Sequence, residues 1–358
     1  KGMDPSALKV TPIVQKALVV GGGIAGMTSA LGIAEHGFEV FLLEKAEKLG
    51  GNLRRLYRTL EGNPPQELLE QTISKVERHP NIHLHMNTKV LHSHGRVGRF
   101  ITSIEKEDGS GETLEHGVTI LATGGKEAIT ESYGYGQSDN IVTQHQLEEQ
   151  LHSGQINPSE LGVVAMIQCV DSREEPRNYC SRICCTSALK NALYLKEQNP
   201  EIDIYILYRD IMAYGFLETY YTQARQAGVI FIQYDLADKP KVRVENGRVS
   251  TAVTDPILGR EMVVETDLLV LSTGIVSDGQ RKLAEIFGVE TNQDGFFQEA
   301  EYKWRPVDFL REGIFTCGVC HSPRNITESM AMAEATAQRA LRILASKRLT
   351  AGSTVAEV

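Results

Sequence analysis

Four of the six cysteines in this 358-residue chain lie in one short stretch, QCVDSREEPRNYCSRICCTSALK, at residues 168–190. Six cysteines are too few to form a disulfide scaffold in a chain this long, so a cluster of four thiols indicates metal binding or redox chemistry. The segment SREEPRN between the thiols is polar and does not resemble a hydrophobic core. The stretch therefore predicts a chemical site.

The spacing of these thiols suits the ligands of one compact centre. Cys169 is predicted to end a strand, and Cys180, Cys184 and Cys185 are predicted at or just inside the next helix. If Cys180 and Cys184 are both helical, they share a face with Cβ atoms about 5–6 Å apart, and the helix dipole favours thiolates there. Four thiolates favour an iron–sulfur cluster, while zinc, a thiol–disulfide exchange site and buried free cysteines remain alternatives.

Residues 16–44, KALVVGGGIAGMTSALGIAEHGFEVFLLE, predict a strand, a glycine turn, an apolar helix and a second strand. Gly21, Gly23 and Gly26 satisfy G-x-G-x-x-G, in which the glycines give a tight turn, close approach of a pyrophosphate and close helix–strand packing. Glu44 follows Gly26 by 18 residues, where an acid can bind the ribose hydroxyls of an adenosine. This unit predicts a dinucleotide site but does not distinguish FAD from NAD.

Two later segments, VTILATGG at 118–125 and GIFTCGVCHSPRNITESMAMAEATAQRA at 313–340, make that distinction. Together with the glycine turn they resemble the thioredoxin reductase family of flavoproteins. The resemblance implies that the first nucleotide is FAD and that the loop EKAEKLGGN runs past it. The further cofactor-binding residues predicted on this basis are Lys45, Gly51, Asn52, Val90, Thr123, Gly124, Gly318 and Ile326.

A second βαβ pattern begins with the strand LGVVAMIQCV at 161–170 and continues through the cysteine stretch to strands near residues 202–208, 228–234 and 267–275. We predict an α/β fold with two Rossmann-like domains, the second inserted in the first. The predicted boundaries are 12–157 and 277–348 for the two parts of the FAD-binding domain and 158–276 for the inserted domain. Thioredoxin reductases bind NADPH in that domain through a glycine-rich turn, and here cysteines replace the turn.

Several phrases resemble the flavoprotein component, called the A subunit, of heterodisulfide reductases and the related component of quinone-interacting oxidoreductase complexes. They are IQCVDSR, YCSRICCTSALKNA, YRDIMAYG, YGYG and HSPRNI, and the match extends through nearly the whole chain. The resemblance implies FAD in a thioredoxin-reductase-like fold and a 4Fe-4S cluster ligated by Cys169, Cys180, Cys184 and Cys185. It also implies that Lys190 lies near the flavin ring, although a solvated helix lysine is the alternative.

The function predicted on this basis is that of an oxidoreductase subunit that transfers electrons, with flavin-based electron bifurcation as the expected mechanism. The expected partners are other subunits of a heterodisulfide-reductase-like or hydrogenase/dehydrogenase complex and ferredoxin or ferredoxin-type domains, and a homodimer is also considered. The chain has no C-x-x-C-x-x-C run, and its end, LTAGSTVAEV, resembles a junction before a ferredoxin-type domain. It is therefore interpreted as the flavin core of a longer subunit.

The pair CGVC at 317–320 supports a rival hypothesis, a pyridine-nucleotide-dependent disulfide reductase. Cys317 alternates with apolar residues and is predicted to pack, so we favour a dithiol role less. A zinc-binding or flavin-binding assembly subunit is the non-enzyme alternative. Arg209 and Asp210 are interpreted as structural residues at a strand end.

The net charge of -9 and pI of about 5.7 indicate no nucleic-acid partner. No apolar run is long enough to span a membrane, and KGMDPS at the N-terminus lacks the features of a signal peptide. We therefore predict a cytoplasmic protein without a membrane span.

Overall fold

The structure is a computed structural model that describes residues 9–351, so KGMDPS and most of LTAGSTVAEV lie outside the described residues. Contacts divide the chain into two units. The first comprises the residues up to Leu53, Leu68–Gly125 and the residues from Ser277 onward, and the second comprises Arg54–Glu67 and Lys126–Val276. Residues 54–67 and 126–157, placed with the FAD-binding domain in the sequence analysis, group with the second unit.

The strands of both units, numbered in chain order, are β1 Lys9–Pro12, β2 Lys16–Val20, β3 Glu39–Leu43, β4 Ile82–His85, β5 Lys89–Arg96, β6 Arg99–Glu105, β7 Gly111–His116, β8 Val118–Leu121, β9 Lys126–Glu127, β10 Ile141–Thr143, β11 Val163–Ile167, β12 Asp203–Tyr208, β13 Ile230–Gln233, β14 Lys241–Glu245, β15 Arg248–Asp255, β16 Arg260–Thr266, β17 Leu268–Leu271, β18 Ile275–Val276, β19 Ile314–Thr316 and β20 Arg348–Ala351. The α-helices are α1 Ile24–Ala34, α2 Pro65–Arg78, α3 Gln144–Ser153, α4 Cys184–Gln198, α5 Glu218–Gln226, α6 Gln280–Phe287 and α7 Ile326–Leu344.

The first unit is built on a parallel sheet with the order β19-β8-β2-β3-β4. Strand β8 is buried along its whole length, as expected of a parallel strand that is covered on both faces. Helices α1 and α7 approach closely, and a Cβ added to Gly32 would lie only 3.1 Å from the Cβ of Ala337. A three-stranded antiparallel sheet, β5-β6-β7, adds a second layer to this unit.

The second unit has its own parallel sheet, with the order β10-β17-β11-β12-β13. Side chains of β11, β12 and β17 pack with those of α4 in one core cluster that includes Met166, Ile206, Val270 and Leu189. Strands β14-β15-β16 form an antiparallel sheet, and β9 pairs with β18. Residues 126–276 interrupt the first unit, so the predicted class of two Rossmann-like folds, the second inserted in the first, is confirmed.

The length and composition of each helix decide whether that helix could cross a membrane. Within residues 9–351, no helix combines the length and the apolar composition that crossing a bilayer requires.

Candidate functional site

The glycine turn of the first unit joins β2 to α1. Gly21 has a φ of 113°, and a Cβ there would overlap the backbone of Ala122, while a Cβ on Gly26 would overlap the carbonyl of Gly21. Both positions therefore exclude a side chain. Gly23 differs, because a Cβ on it would meet no atom within 4 Å. Gly23 also precedes α1 and gives this helix no side-chain cap, so open space lies at the N-terminus of the helix, where a phosphate would bind.

Glu44 follows the end of β3 and is almost fully buried beside this turn. Its carboxylate accepts hydrogen bonds from the backbone N–H groups of Gly22 at 2.7 Å and Ala46 at 2.8 Å. Each carboxylate oxygen keeps a second lone pair for a ligand hydroxyl. The sequence interpretation of Glu44 as a ribose-binding acid is therefore compatible with its observed bonds.

A cleft of about 250 Å³ opens beside Glu44 within the first unit. Five of the predicted cofactor residues line it, namely Gly21, Glu44, Lys45, Val90 and Thr123. Apolar side chains and lysines share the lining, and Lys45 pairs with Asp278 at 2.8 Å. This mixture suits a nucleotide, whose base is flat and apolar and whose phosphates are anionic.

The loop after β3 also meets the glycine turn. Gly50 donates to the carbonyl of Gly22 at 2.8 Å, and a Cβ on Gly51 would lie 3.4 Å from the Cα of Gly23. Asn52 Nδ2 donates to the carbonyl of Gly125 at 2.8 Å. These contacts bring Gly51 to the glycine turn and Asn52 to the segment after β8 that also contains Gly124.

The last two predicted cofactor residues lie on the C-terminal segment of the first unit. Gly318 has a φ of 77°, and a Cβ on it would come within 2.7 Å of that of Ala25 in the first turn of α1. Ile326 is the first residue of α7, and Asn325 and Glu328 cap that helix reciprocally. Gly318 therefore lies against the start of α1, beside the glycine turn.

Sequence reasoning missed two polar groups in this unit. Gln280 is buried at the start of α6 and donates to the carbonyl of Gly124 at 2.5 Å. His321 lies between Glu299, at 3.0 Å, and Arg324, at 2.7 Å, and its burial and the nearby guanidinium lower its pKa. Gln280 lies in no motif, and although His321 lies in the phrase HSPRNI, no local pattern gives its contacts with Glu299 and Arg324.

In the second unit, the cysteine stretch runs from the end of β11 to the start of α4. Cys169 follows β11 with a φ of 58°, and Cys184 and Cys185 are the first two residues of α4. Cys180 is not helical, so the condition for a helical face shared with Cys184 is not met. Arg182 has a φ of 59°, and this left-handed residue prevents the helix from extending back to Cys180.

The loop that holds the thiols has an unusual backbone. Cys169, Asp171, Arg173 and Arg182 all have positive φ, and they make up four of the seven non-glycine residues with this conformation in the described chain. Such residues cost about 1–3 kcal/mol each and persist where surrounding contacts over-determine them, commonly at functional sites. Gly274, with a φ of 80°, lies against the same loop, because a Cβ there would be 2.6 Å from Ser181 Oγ.

The four thiols lie within electrostatic reach of one another. Burial, and then the neighbouring thiols, raise the pKa of Cys184 strongly. Burial likewise raises the pKa of Cys185 to about 12, and it also raises the pKa of Cys169. Thiols this basic stay protonated at neutral pH unless a metal displaces the protons. The structure therefore brings together the four residues that the sequence grouped.

Each of three thiols has a polar neighbour of its own. Cys180 Sγ accepts from the N–H of Arg182 at 3.3 Å, Cys169 Sγ accepts from Arg173 Nη1 at 3.8 Å, and Cys185 Sγ donates to the carbonyl of Asp210 at 3.6 Å. In this arrangement, residues 9–351 contain no group of three or more His, Cys, Asp or Glu side chains that could hold a metal ion. The donor set itself fits an iron–sulfur cluster or zinc.

Arg209 and Asp210 support this loop instead of pairing with each other. Arg209 Nη1 donates to the carbonyls of Ser172 and Arg173 at 3.3 and 3.2 Å. Asp210 pairs with the guanidinium of Arg173 at 2.6 Å. These bonds fix the loop backbone and hold a positive charge beside Cys169.

Lys190 is buried in α4, so it is not a solvated helix lysine. Its Nζ lies 2.7 Å from Glu148 Oε2 and donates to the carbonyl of Arg58 at 3.1 Å. Glu148 in turn accepts from the N–H groups of Tyr57 and Arg58 at 2.7 and 3.1 Å. Glu148 lies 42 residues before Lys190, and no local pattern predicted their pairing.

Cys317 and Cys320 are buried completely. Burial raises the pKa of both thiols, and Cys320 Sγ bonds the carbonyls of Leu121 and Cys317 at 3.3 and 3.1 Å. A reactive dithiol needs an accessible thiolate, so these residues have the character of packed core cysteines.

Comparison with known proteins is consistent with this fold and indicates a family. A family model described as pyridine nucleotide-disulphide oxidoreductase matches residues 15–164. The second of two iron-sulfur A subunits of the CoB–CoM heterodisulfide reductase of Methanopyrus kandleri is 30% identical, over 97% of this chain and 67% of its own length. The A subunit of the H2/formate:CoB-CoM heterodisulfide,ferredoxin reductase of Methanococcus maripaludis is 28% identical, over 94% of this chain and 65% of its own length. The chain thus spans about two thirds of the length of these relatives.

Two solved structures show the fold. Lactococcus lactis thioredoxin reductase is 17% identical with a TM-score of 0.63, covering 92% of this chain and 99% of its own. T. acidophilum thioredoxin reductase is 16% identical with a TM-score of 0.61, covering 92% of this chain and 98% of its own.

Proposed function

This chain belongs to the family of heterodisulfide reductase A subunits, and on that basis we propose that it carries FAD and a 4Fe-4S cluster and transfers electrons between them. The observation that carries the proposal is the loop after β11, where four thiols lie together on a strained backbone. FAD would supply two-electron chemistry, and the cluster would supply one-electron transfer.

The residues of the first unit suit FAD. The open space at Gly23 and the uncapped start of α1 would take the pyrophosphate, and the carboxylate of Glu44 would take the ribose hydroxyls. The cleft beside Glu44 would hold the adenine among its apolar side chains. The flavin side of the site would be completed by residues that the family resemblance implies, namely Thr123, Gly124, Gly318 and Ile326.

The residues of the second unit suit the cluster. Cys169, Cys180, Cys184 and Cys185 would be its ligands, and the N-terminus of α4 would favour the thiolates. The N–H of Arg182 and the guanidinium of Arg173 already donate to two of these sulfurs. Lys190 would hold a positive charge that favours the reduced flavin, with Glu148 fixing its position.

We extend the proposal to electron bifurcation in a cytoplasmic complex. A pair of electrons would enter from a hydrogenase or dehydrogenase partner, and one electron would pass to a disulfide or quinone branch while the other passes to ferredoxin. Ferredoxin reduction by the assembled complex would then depend on the presence of the disulfide or quinone. Ferredoxin reduction that continues in the absence of that acceptor would contradict bifurcation.

The rival activity is reduction of the flavin by a pyridine nucleotide, which the matched family description and the fold neighbours suggest. Two observations weaken it. The turn after β11 has the sequence QCVDSR in place of a glycine fingerprint, and Cys317 and Cys320 are buried. We therefore expect NADH and NADPH to leave the flavin oxidised under anaerobic conditions.

An anaerobic titration with dithionite tests the proposal by counting electrons. The chain should accept about three electrons, two at FAD and one at the cluster. Cys184→Ala should accept about two, whereas Cys320→Ala, a matched change of a buried cysteine outside the loop, should still accept about three. Uptake of two electrons by all three proteins, or rapid flavin reduction by NADPH, would overturn it.

A further inference from the structure

Gln168, the residue before Cys169, is a buried amide without a hydrogen-bond partner. It is fully buried, and neither its side-chain oxygen nor its side-chain nitrogen bonds any group within residues 9–351. Buried polar groups are nearly always hydrogen-bonded to protein or ordered water, so an orphaned amide with a donor and an acceptor requires an explanation.

The position of Gln168 in the sheet shows which element its side chain faces. The side chains of Val164 and Met166 pack on the face of β11 that α4 covers. The backbone of Gln168 stays in register, because its N–H donates to the carbonyl of Leu207 at 2.9 Å. Side chains alternate along a strand, so Gln168 continues the row of Val164 and Met166 toward α4.

The part of α4 above the end of β11 is its first turn. A helix that follows a parallel strand runs back over it, so its first residues lie above the carboxyl end of the strand. That turn begins with Cys184 and Cys185, and Cys169 is the residue after Gln168. The orphaned amide therefore faces the turn of α4 that begins with two of the loop thiols, and a third thiol, Cys169, follows it in the sequence.

The neighbouring polar side chains on this face have partners. Ser272, which continues β17 beside Gln168, accepts from Gln144 Nε2 at 3.2 Å. Gln144 accepts from Asn191 Nδ2 at 2.7 Å through its own amide oxygen. These polar groups satisfy one another, and Gln168 alone of this set is left for a group that the protein does not supply.

We propose that Gln168 Nε2 donates a hydrogen bond to a sulfur of the cluster and thereby raises its reduction potential. The inference rests on the function proposed above. Reduction adds negative charge to a cluster, and hydrogen bonds to the sulfurs are among the features that set its potential. Gln168 is a positioning and tuning residue in this role, because it ligates no iron.

The test is a potentiometric titration of the anaerobic protein, with the reduced cluster followed by EPR. Gln168→Met keeps the length of the side chain and removes the donor, so iron and sulfide content should be unchanged. At a fixed poise the ratio of reduced to oxidised cluster should fall about tenfold, which for one electron is about 59 mV toward more negative potential. An unchanged potential with an intact cluster would mean that the amide binds water or only fills space, and would overturn the inference.

Two further measurements separate the outcomes. Thr251→Val is the matched control, because Thr251 Oγ1 is also buried without a partner but lies in the antiparallel sheet of the second unit, and this variant should leave the potential unchanged. If Gln168→Met does not fold, glutamine labelled with 15N at the side-chain amide should give a hyperfine coupling to the cluster in the wild-type protein, and its absence would contradict the inference. A wild-type protein without iron and sulfide would instead refute the proposed function, on which this inference depends.

Discussion

The contrast between Gly23 and Gly26 gives a prediction that separates cofactor binding from folding. A methyl group added at Gly23 would enter space that no protein atom occupies within 4 Å, and Gly23 has a φ of −75° that alanine adopts freely. A methyl group at Gly26 would overlap the carbonyl oxygen of Gly21. Gly23→Ala should therefore weaken the binding of FAD alone, whereas Gly26→Ala should also lower the folding stability.

The magnitudes follow from these two surroundings. For Gly23→Ala, the lower entropy of the unfolded chain stabilises by about 0.4–1 kcal/mol and the weaker helix cap costs a similar amount, so the free energy of unfolding should change by less than about 1 kcal/mol. Crowding of the pyrophosphate should cost about 1–3 kcal/mol, which raises the Kd for FAD about 5-fold to 150-fold. Gly26→Ala should lose about 3 kcal/mol or more of folding stability.

The assay combines urea unfolding of the flavin-free protein with titration of FAD by flavin fluorescence. Gly111→Ala is the matched control, because Gly111 lies on β7 with its nearest neighbour at 3.8 Å, and neither quantity should change. An FAD affinity of Gly23→Ala within about twofold of wild type would refute the placement of the pyrophosphate against Gly23. A loss of stability in Gly23→Ala equal to that in Gly26→Ala would refute the assignment of open space.

Three further predictions concern two buried residues, Lys190 and His116, and the partly buried Arg173. Lys190→Met should cost about 3–5 kcal/mol of folding stability, because it leaves the Glu148 carboxylate buried and unpaired. In urea unfolding, the double variant with Glu148→Gln should regain much of that stability, and additive losses from the two changes would contradict this prediction. His116 is buried, and its burial lowers its pKa to about 4 from an unfolded value near 6.5. The unfolded chain therefore binds the proton first as the pH falls. The contribution of His116 to the free energy of unfolding, complete above pH 6.5, should fall by about 2 kcal/mol at pH 5. His116→Gln should lack this loss, and an equal decline of stability with pH in wild type and variant would refute the prediction. Arg173→Met should shift the cluster potential negative by removing a charged donor to Cys169, and an unshifted EPR titration would argue against that contact.

Local patterns in the sequence predicted the parts of the molecule that depend on local geometry. The tight turn between β2 and α1 follows from the spacing of Gly21, Gly23 and Gly26. The order of strands and helices likewise determined the fold class, because each βαβ unit admits few topologies.

Features that depend on tertiary contacts or on single backbone angles were not predictable. The ion pair of Lys190 with Glu148 joins residues 42 positions apart, and neither position carries a motif. The spacing of Cys180 and Cys184 suits a shared helical face, but the left-handed conformation of Arg182 excludes Cys180 from α4. The lack of a partner for the Gln168 amide depends on every hydrogen bond around it, and no sequence pattern gives those bonds.

The most direct test of the account is the cofactor content of the protein purified without oxygen, together with its EPR spectrum after reduction by dithionite. The account predicts about one FAD, four irons and four sulfides per chain, with a signal of the reduced cluster. Cys184→Ala should lose the iron, the sulfide and the signal but keep its FAD. Flavin without iron, or zinc in place of iron and sulfide, would contradict the claim that the four cysteines of the second unit hold an iron–sulfur cluster.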